Sequence, residues 1–312
     1  MTDQRRILVV GCGAIGGIFA ASLAAVADVV AYDANEDHVR AIRELGLRVS
    51  GASEQLARLP ATGNAAELAG RFDALLFLIK SSATASALQQ LKAVVAGRPL
   101  LVTLQNGMGN SEVLLAAGDC PVARGVTTDA GRYVGPGHVE HLIRGKTWLG
   151  PIRGDMGDVR WLGALLTEAG LPAETVDDPM EAVWSKFVFN SVMNPIGALL
   201  LGVNAARYEA REVCALIDDM AAECEQVVHA LGGRFAYDPL DYVKKVRAGQ
   251  APLSTHAGSM AQDIARGVPT EIDELTGFIV REGDRLGIPV PACRTVWRLV
   301  KGLEIAARRK RL

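Results

Sequence analysis

The 312-residue chain has no Cys-x-x-Cys pair, and its five cysteines (Cys12, Cys120, Cys214, Cys224, Cys293) are odd in number and widely scattered. That pattern argues against a disulfide framework and a cysteine zinc site, and fits reduced thiols in a cytoplasmic protein. The five histidines lack ligand spacing, so no metal site is expected. An excess of charge of one sign is missing as well. Lys and Arg number 33 against 35 Asp and Glu, for a net charge of −2, and the pI is near 6.2. This balance gives no electrostatic reason to expect nucleic acid or an anionic membrane as partner. The basic run at 308–312 (RRKRL) reads as a solvated helix end, where cations suit the macrodipole. Internal repeats and low-complexity segments are absent.

Long apolar runs are scarce. One uncharged stretch, residues 7–27 (ILVVGCGAIGGIFAASLAAVA), follows Arg5-Arg6 and ends in Ala-Val-Ala, as a signal peptide would. Four glycines, Gly11, Gly13, Gly16 and Gly17, interrupt it, and it reads more completely as strand, tight turn and helix. No other segment is long enough to span a bilayer, so no membrane partner is expected.

What the sequence does contain is two textures. Its composition, 49 % hydrophobic and 22 % charged, is globular, and its length suits two domains. In the first half, short apolar runs at 6–10, 28–32, 74–79 and 100–105 alternate with helical patterns around 15–26, 35–45 and 83–96. Such alternation implies a parallel sheet covered on both faces. The glycine-rich region 127–150 suggests antiparallel strands closing that sheet, and 158–170 one more helix. After Asp177-Asp178-Pro179 strand signals fade and helical periodicity takes over. Residues 211–232 carry apolar positions at helical spacing, and 270–287 open with Thr270 as N-cap and acids in the first turn. The expectation is α/β: a Rossmann dinucleotide-binding domain over 1–178, then an all-α substrate and catalytic domain over 179–312. The apolar stretch 196–203 (IGALLLGV) suits either a homodimer interface or a core.

The turn Gly11-Cys12-Gly13-Ala14-Ile15-Gly16 follows an apolar strand and opens a helix. In this context Gly-x-Gly-x-x-Gly binds a dinucleotide. The first glycine allows the tight turn, the second lets the pyrophosphate approach the backbone, and the third lets helix and strand pack closely. Asp33 ends the second strand 22 residues after Gly11, at the ribose-binding position. A carboxylate there accepts hydrogen bonds from ribose hydroxyls and repels a 2′-phosphate, which favours NADH over NADPH. Arg40 and Arg43 lie nearby in sequence and could offer a cation instead.

Residues 184–195 (WSKFVFNSVMNP) pose a different question. Apolar side chains cover most of a helix's circumference, yet Lys186, Asn190 and Asn194 recur every four residues on one face. Buried without partners, such groups would cost several kcal/mol by rough estimate, so something must meet them.

Together with Ile79-Lys80-Ser81-Ser82, LQNGMG (104–109) and GSMAQDIARGVPTEID (258–273), these motifs resemble the ketopantoate reductase family over nearly the whole chain. The resemblance implies reduction of a branched 2-oxo acid by NAD(P)H and a helical domain behind the Rossmann domain. By motif, Lys186 matches the proton donor and Glu271 the acid beside it. Asn190, Asn194 and Asn204 match substrate-binding amides, and Ser259 a carboxylate-binding hydroxyl. Asp263, outside these matches, precedes Glu271 by eight positions and is placed on the substrate side as a supporting acid, although Gly267 and Pro269 interrupt a continuous helix between them. Lys80, Asn106 and the backbone of Ala130 match cofactor-side positions. The chemistry asks for the same types: an ammonium stabilises charge developing on a ketone oxygen and then protonates it, while an acid keeps that ammonium charged.

Asn35 stands where the family has an arginine for the 2′-phosphate, and Thr276-Gly277 replaces its Asn-Gly. These departures leave the reaction type intact and bear on the substrate. The leading expectation is 2-dehydropantoate reduced to (R)-pantoate, followed by an NAD-dependent D-2-hydroxy acid dehydrogenase of the mandelate type. A dinucleotide-sensing module without chemistry would have no use for the lysine–amide strip. Sugar-phosphate dehydrogenases need a basic phosphate cluster, and the second half has none.

Overall fold

A computed structural model of the chain describes residues 4–254 and 257–309. The chain forms two compact units. The first takes the chain up to Gln105 and then Gly109–Pro179; the second takes Asn106–Met108 and the chain from Met180 onward.

The strands of the first unit are β1 (Arg6–Val10), β2 (Asp28–Tyr32), β3 (Leu47–Gly51), β4 (Gln55–Ala57), β5 (Ala61–Thr62), β6 (Ala74–Phe77), β7 (Leu100–Thr103), β8 (Val122–Thr127), β9 (Ala130–Gly135), β10 (His138–Ile143), β11 (Thr147–Arg153) and β12 (Ala173–Thr175). Its helices are α1 (Ala14–Leu23), α2 (Glu36–Leu45), α3 (Thr84–Gln90), α4 (Lys92–Val95), α5 (Asn110–Leu115) and α6 (Met156–Glu168). The main sheet runs β12-β11-β8-β7-β6-β1-β2-β5. Its neighbours pair in parallel except β11, which returns antiparallel to β8. Strands β1, β6 and β7 are buried through most of their length, as crossover helices on both faces require. This is the Rossmann arrangement, and the uncharged stretch 7–27 forms its first strand, turn and helix.

The hairpin β9–β10 corrects the sequence reading. It does not extend the main sheet but joins a second one, β4-β3-β10-β9. The reason lies in α1, which buries every residue from Gly16 to Leu23. A helix apolar all round needs cover on more than one side. The second sheet supplies it: a Cβ on Gly17 would lie 2.9 Å from Val139 of β10. The short strands β3, β4, β5 and β12 carry no run long enough to be read in advance. The helix expected over 83–96 divides into α3 and α4 at Leu91.

The second unit is helical: α7 (Met180–Leu199), α8 (Ala206–Glu209), α9 (Arg211–Ala230), α10 (Asp241–Arg247), α11 (Ser259–Arg266), α12 (Thr276–Leu286) and α13 (Pro291–Arg309). Its core gathers Phe187, Val192 and Ile196 of α7 with Met220 and Val227 of α9 and Val296 of α13. Trp184, Phe187 and Phe278 form an aromatic cluster, the last two edge to face at 5.4 Å between centroids. Of the apolar stretch 196–203, Ile196 and Ala198 enter the core while Leu201 and Val203 face solvent.

The helix expected to start at Thr270 begins at Thr276 instead. Leu275 leaves helical geometry (φ −102°, ψ −103°), and the Thr270 hydroxyl donates to Glu304 while accepting the Ile272 N–H. Arg308 and Arg309 close α13; the remaining tail residues, 310–312, lie outside the described residues. No helix among the described residues is long and apolar enough to cross a membrane.

Candidate active site

In the first unit the glycine turn leaves β1 with Gly11 at φ +88°, a conformation that L side chains adopt at a cost. Its N–H donates to Tyr32 O at 2.7 Å. A Cβ on Gly16 would stand 1.8 Å from Gly11 O, so β1 and α1 approach only because that atom is absent. Gly13 differs: a Cβ there would meet no protein atom within 4 Å. Helix α1 starts at Ala14, and no side chain caps its first N–H groups. Open space above Gly13 and uncapped amides at Ala14 and Ile15 fit a pyrophosphate.

Cys12 contributes its backbone rather than its thiol. The side chain is fully buried, and burial, then Asp33, push the thiol pKa well above its usual value. The Cys12 N–H donates to Asp33 Oδ2 at 2.7 Å, and the Asn35 N–H donates to Asp33 Oδ1 at 2.8 Å. A carboxylate has about four acceptor positions, so Asp33, half-buried, retains capacity for ribose hydroxyls. Asn35 caps α2 by accepting the His38 N–H at 3.1 Å. The two nearby arginines are already engaged: Arg40 pairs with Asp37, and Arg43 holds Glu67 and the Ala61 carbonyl.

The turn bearing Lys80 abuts this loop, since Ile79 Cγ2 would lie 2.3 Å from a Cβ on Gly11. Gln105, two residues past the end of β7, fastens it, donating to Ile79 O and Thr84 Oγ1, both at 2.8 Å. Lys80 itself is half-buried. Ala130 opens β9, and a Cβ on its neighbour Gly131 would stand 3.2 Å from Ala14 O. The first unit therefore gathers Lys80 and Ala130 around the glycine turn.

Two histidines that lack ligand spacing have structural roles. Buried His38 accepts the Gly137 N–H at Nδ1 (2.9 Å), so its Nε2–H donates to Cys12 O (2.8 Å) and ties the glycine turn to the second sheet. His141 lies 2.9 Å from Asp129, beside Ala130. Burial alone would raise the Asp129 pKa, but hydrogen bonds from His141, Thr127 and the Gly145 N–H hold it below the usual carboxylate range. Neither histidine has a spacing that signals its role.

In the second unit the lysine–amide strip lies along α7. Lys186 and Asn194 are half-buried and Asn190 is buried. Asn106, carried by the 106–108 segment, meets the strip: Asn190 Nδ2 donates to Asn106 Oδ1 at 3.2 Å. Gly107 makes this possible at φ +81°, where a Cβ would stand 3.0 Å from Glu274.

Pro195 lies within α7 and has no N–H for the carbonyl of Ser191. The Thr276 hydroxyl fills the vacancy, donating to Ser191 O at 2.7 Å. This gives Thr276 a structural purpose that its departure from the family motif did not reveal, although the proline signalled that some donor was needed. Thr276→Val keeps the shape and removes the donor. It is expected to lower stability by about 1–3 kcal/mol, read by urea denaturation, with unchanged secondary structure.

Glu271 is half-buried in a turn clamped on both sides by α13. Thr270 N and Oγ1 both donate to Glu304 at 2.8 Å, while Lys301 and Trp297 each hold Asp273 at 2.7 Å. Ser259 starts α11, is exposed, and follows Gly258, which offers no side-chain cap. Asp263 is buried and pairs with Arg266 at 2.9 Å. Gly267 (φ +62°) ends α11, so Asp263 and Glu271 lie on separate elements. The Asn204 amide donates to Ser254 O, an anchor for the backbone there.

Comparison with known proteins agrees with this arrangement. Residues 7–154 match the sequence model described as ketopantoate reductase PanE/ApbA, and 178–304 match that of its C-terminal domain. A 2-dehydropantoate 2-reductase of Archaeoglobus fulgidus is 30 % identical over 96 % of this chain and 98 % of its own. The crystal structure of a PanE/ApbA family ketopantoate reductase from Ralstonia eutropha superposes with a TM-score of 0.86 at 32 % identity, covering 97 % of this chain and 99 % of that one. A D-mandelate dehydrogenase solved with NADH and anilino(oxo)acetate gives 0.87 at 25 % identity over the same shares. With both halves of the sequence matched and a Rossmann unit preceding a helical one, the chain belongs to the ketopantoate reductase family.

Proposed function

We propose that this chain is a nicotinamide-dependent 2-oxo acid reductase whose leading substrate is 2-dehydropantoate, converted to (R)-pantoate. The observation that carries the reading is the α7 strip, with Lys186, Asn190 and Asn194 on one face and Asn190 joined to Asn106. When bound, the nicotinamide supplies the hydride to C2. Lys186 stabilises the negative charge that grows on the ketone oxygen and delivers the proton. Glu271, in its clamped turn, keeps the ammonium charged and oriented. The neutral amides of Asn190 and Asn194 orient the substrate without adding charge, and Ser259 receives its carboxylate. Asn204 and Asp263 support this wall of the site. A panel of ketopantoate, benzoylformate and 2-oxoisovalerate tests the reading. Highest kcat/KM with ketopantoate is expected; benzoylformate in first place would make the enzyme a mandelate-type dehydrogenase, and no turnover of any would refute the proposal.

NADH is the proposed cofactor, with Gly11, Gly13, Ala14, Ile15 and Gly16 at its pyrophosphate, Asp33 and Asn35 at its adenosine ribose, and Lys80, Asn106 and Ala130 along the rest. Three features support NADH over NADPH: the Asp33 carboxylate, an amide at position 35, and the prior engagement of Arg40 and Arg43. A like charge at the 2′-phosphate costs on the order of 1–3 kcal/mol, so kcat/KM is expected to favour NADH by about 10- to 100-fold. Preference for NADPH in that assay would reverse the assignment.

A further inference from the structure

Arg207, on α8, stands out among the buried charges of the second unit. Only 7 % of its surface is exposed, and no carboxylate among the described residues pairs with it. Its Nη2 donates to Ala257 O at 2.7 Å, and its Nε makes no hydrogen bond. Burial pulls its pKa down, opposed only by the Tyr208 hydroxyl. A guanidinium stays protonated in proteins, so a full positive charge is held here at a desolvation cost that no fixed anion offsets.

Its position gives the charge a use. The guanidinium lies against Gly197 of α7: a Cβ there would stand 2.0 Å from Nη2 and 2.6 Å from Cζ. At about 100° per residue, Gly197 shares the face of Lys186, Asn190 and Asn194 within an arc of roughly 80°. The other flank of the guanidinium is the Ala257-Gly258-Ser259 turn, where a Cβ on Gly258 would be 3.7 Å from Nη2. That turn opens α11, eight residues long, with Gly258 at φ +92° and no side chain capping the first N–H groups. A buried cation without a counterion therefore backs an uncapped helix N-terminus that begins with Ser259, at the end of the lysine–amide face.

We propose that Arg207 is a specificity-determining residue: it anchors the Ala257–Ser259 turn and supplies the positive charge that balances the substrate's carboxylate there. This rests on the reductase reading above and adds to it the reason the enzyme would prefer an acid to a neutral ketone. The N-terminal amides of α11 and the Ser259 hydroxyl offer hydrogen bonds to the carboxylate, and Arg207 behind them offsets its charge.

The test compares 2-oxoisovalerate with its methyl ester, the same ketone without the charge. Arg207→Gln removes the cation but keeps an amide donor for Ala257 O. It is expected to raise KM for the acid by roughly 30- to 100-fold while changing KM for the ester less than threefold. Arg207→Lys, which keeps the charge, should retain most of the acid preference. Should the glutamine variant fail to fold, Gly197→Ala, whose methyl claims the guanidinium's place, is held to the same acid-to-ester ratio. A ratio within threefold of wild type in the charge-removing variant overturns the assignment and leaves the reductase reading standing. A wild-type enzyme that reduces no 2-oxo acid refutes both.

Discussion

Lys186→Ala is expected to fold and bind NADH but to reduce 2-oxo acids about 10²- to 10⁴-fold more slowly in kcat. The loss should be large because hydride arrival at C2 creates an alkoxide, and no other cation on the α7 strip can neutralise it. Asn190 and Asn194 can donate hydrogen bonds but cannot release a proton near neutral pH. Folding should survive, since Lys186 is half-buried, outside the apolar core, and alanine is a strong helix former. The glycine turn belongs to the other unit and packs around its own core, so the dissociation constant for NADH should stay within about twofold in a fluorescence titration. Turnover at the wild-type rate would remove Lys186 from the mechanism.

The second prediction separates two glycines of one motif. Gly16→Ala places a methyl 1.8 Å from a backbone carbonyl. Strand and helix must move apart, with an expected stability loss of about 2–4 kcal/mol and loss of detectable NADH binding. Gly13→Ala meets nothing in the protein, and its backbone angle, φ −63°, suits alanine. Its melting temperature should remain within about 2 °C of wild type, yet NADH affinity should fall by about 10- to 100-fold, because the methyl stands where the pyrophosphate would approach. Calorimetric melting and NADH titration on both variants check this. Equal NADH affinity in Gly13→Ala and wild type would mean the dinucleotide does not approach there.

The fold was legible where a local pattern had a single structural solution. The run at 7–27 could be read because glycine spacing, an apolar strand and the acid at position 33 all call for the same turn. The alternation of short apolar runs with helices gave the parallel sheet. The second sheet was not legible, because β3, β4 and the β9–β10 hairpin carry too little pattern to say what they cover; that choice was made by α1, which needed covering on all sides. The start of α12 was misread because Thr270 followed by acids has the chemistry of an N-cap, whereas a distant residue, Glu304, had already claimed its donors.

The candidate residues divide in the same way. Lys186, Asn190 and Asn194 could be grouped in advance because helical periodicity alone aligns them. Their partner Asn106 lies 84 positions from Asn190, and only its motif, not its spacing, marked it. Arg207 offered no signal, since nothing in its neighbourhood along the chain distinguishes it from a surface arginine. Its burial follows from Gly197, ten positions earlier, and from the Ala257 carbonyl, 50 positions later.

By itself, the sequence determined the glycine turn, the acid that follows the second strand and the lysine–amide face. Each is set by backbone geometry and side-chain period over a few adjacent residues. The tertiary structure alone decided that Thr276 completes the helix at Pro195, that α13 clamps the turn bearing Glu271, and that the Arg207 guanidinium is buried beside Gly197 with no carboxylate partner among the described residues. Those outcomes depend on which distant groups packing brings within hydrogen-bond range, and no local pattern encodes that distance.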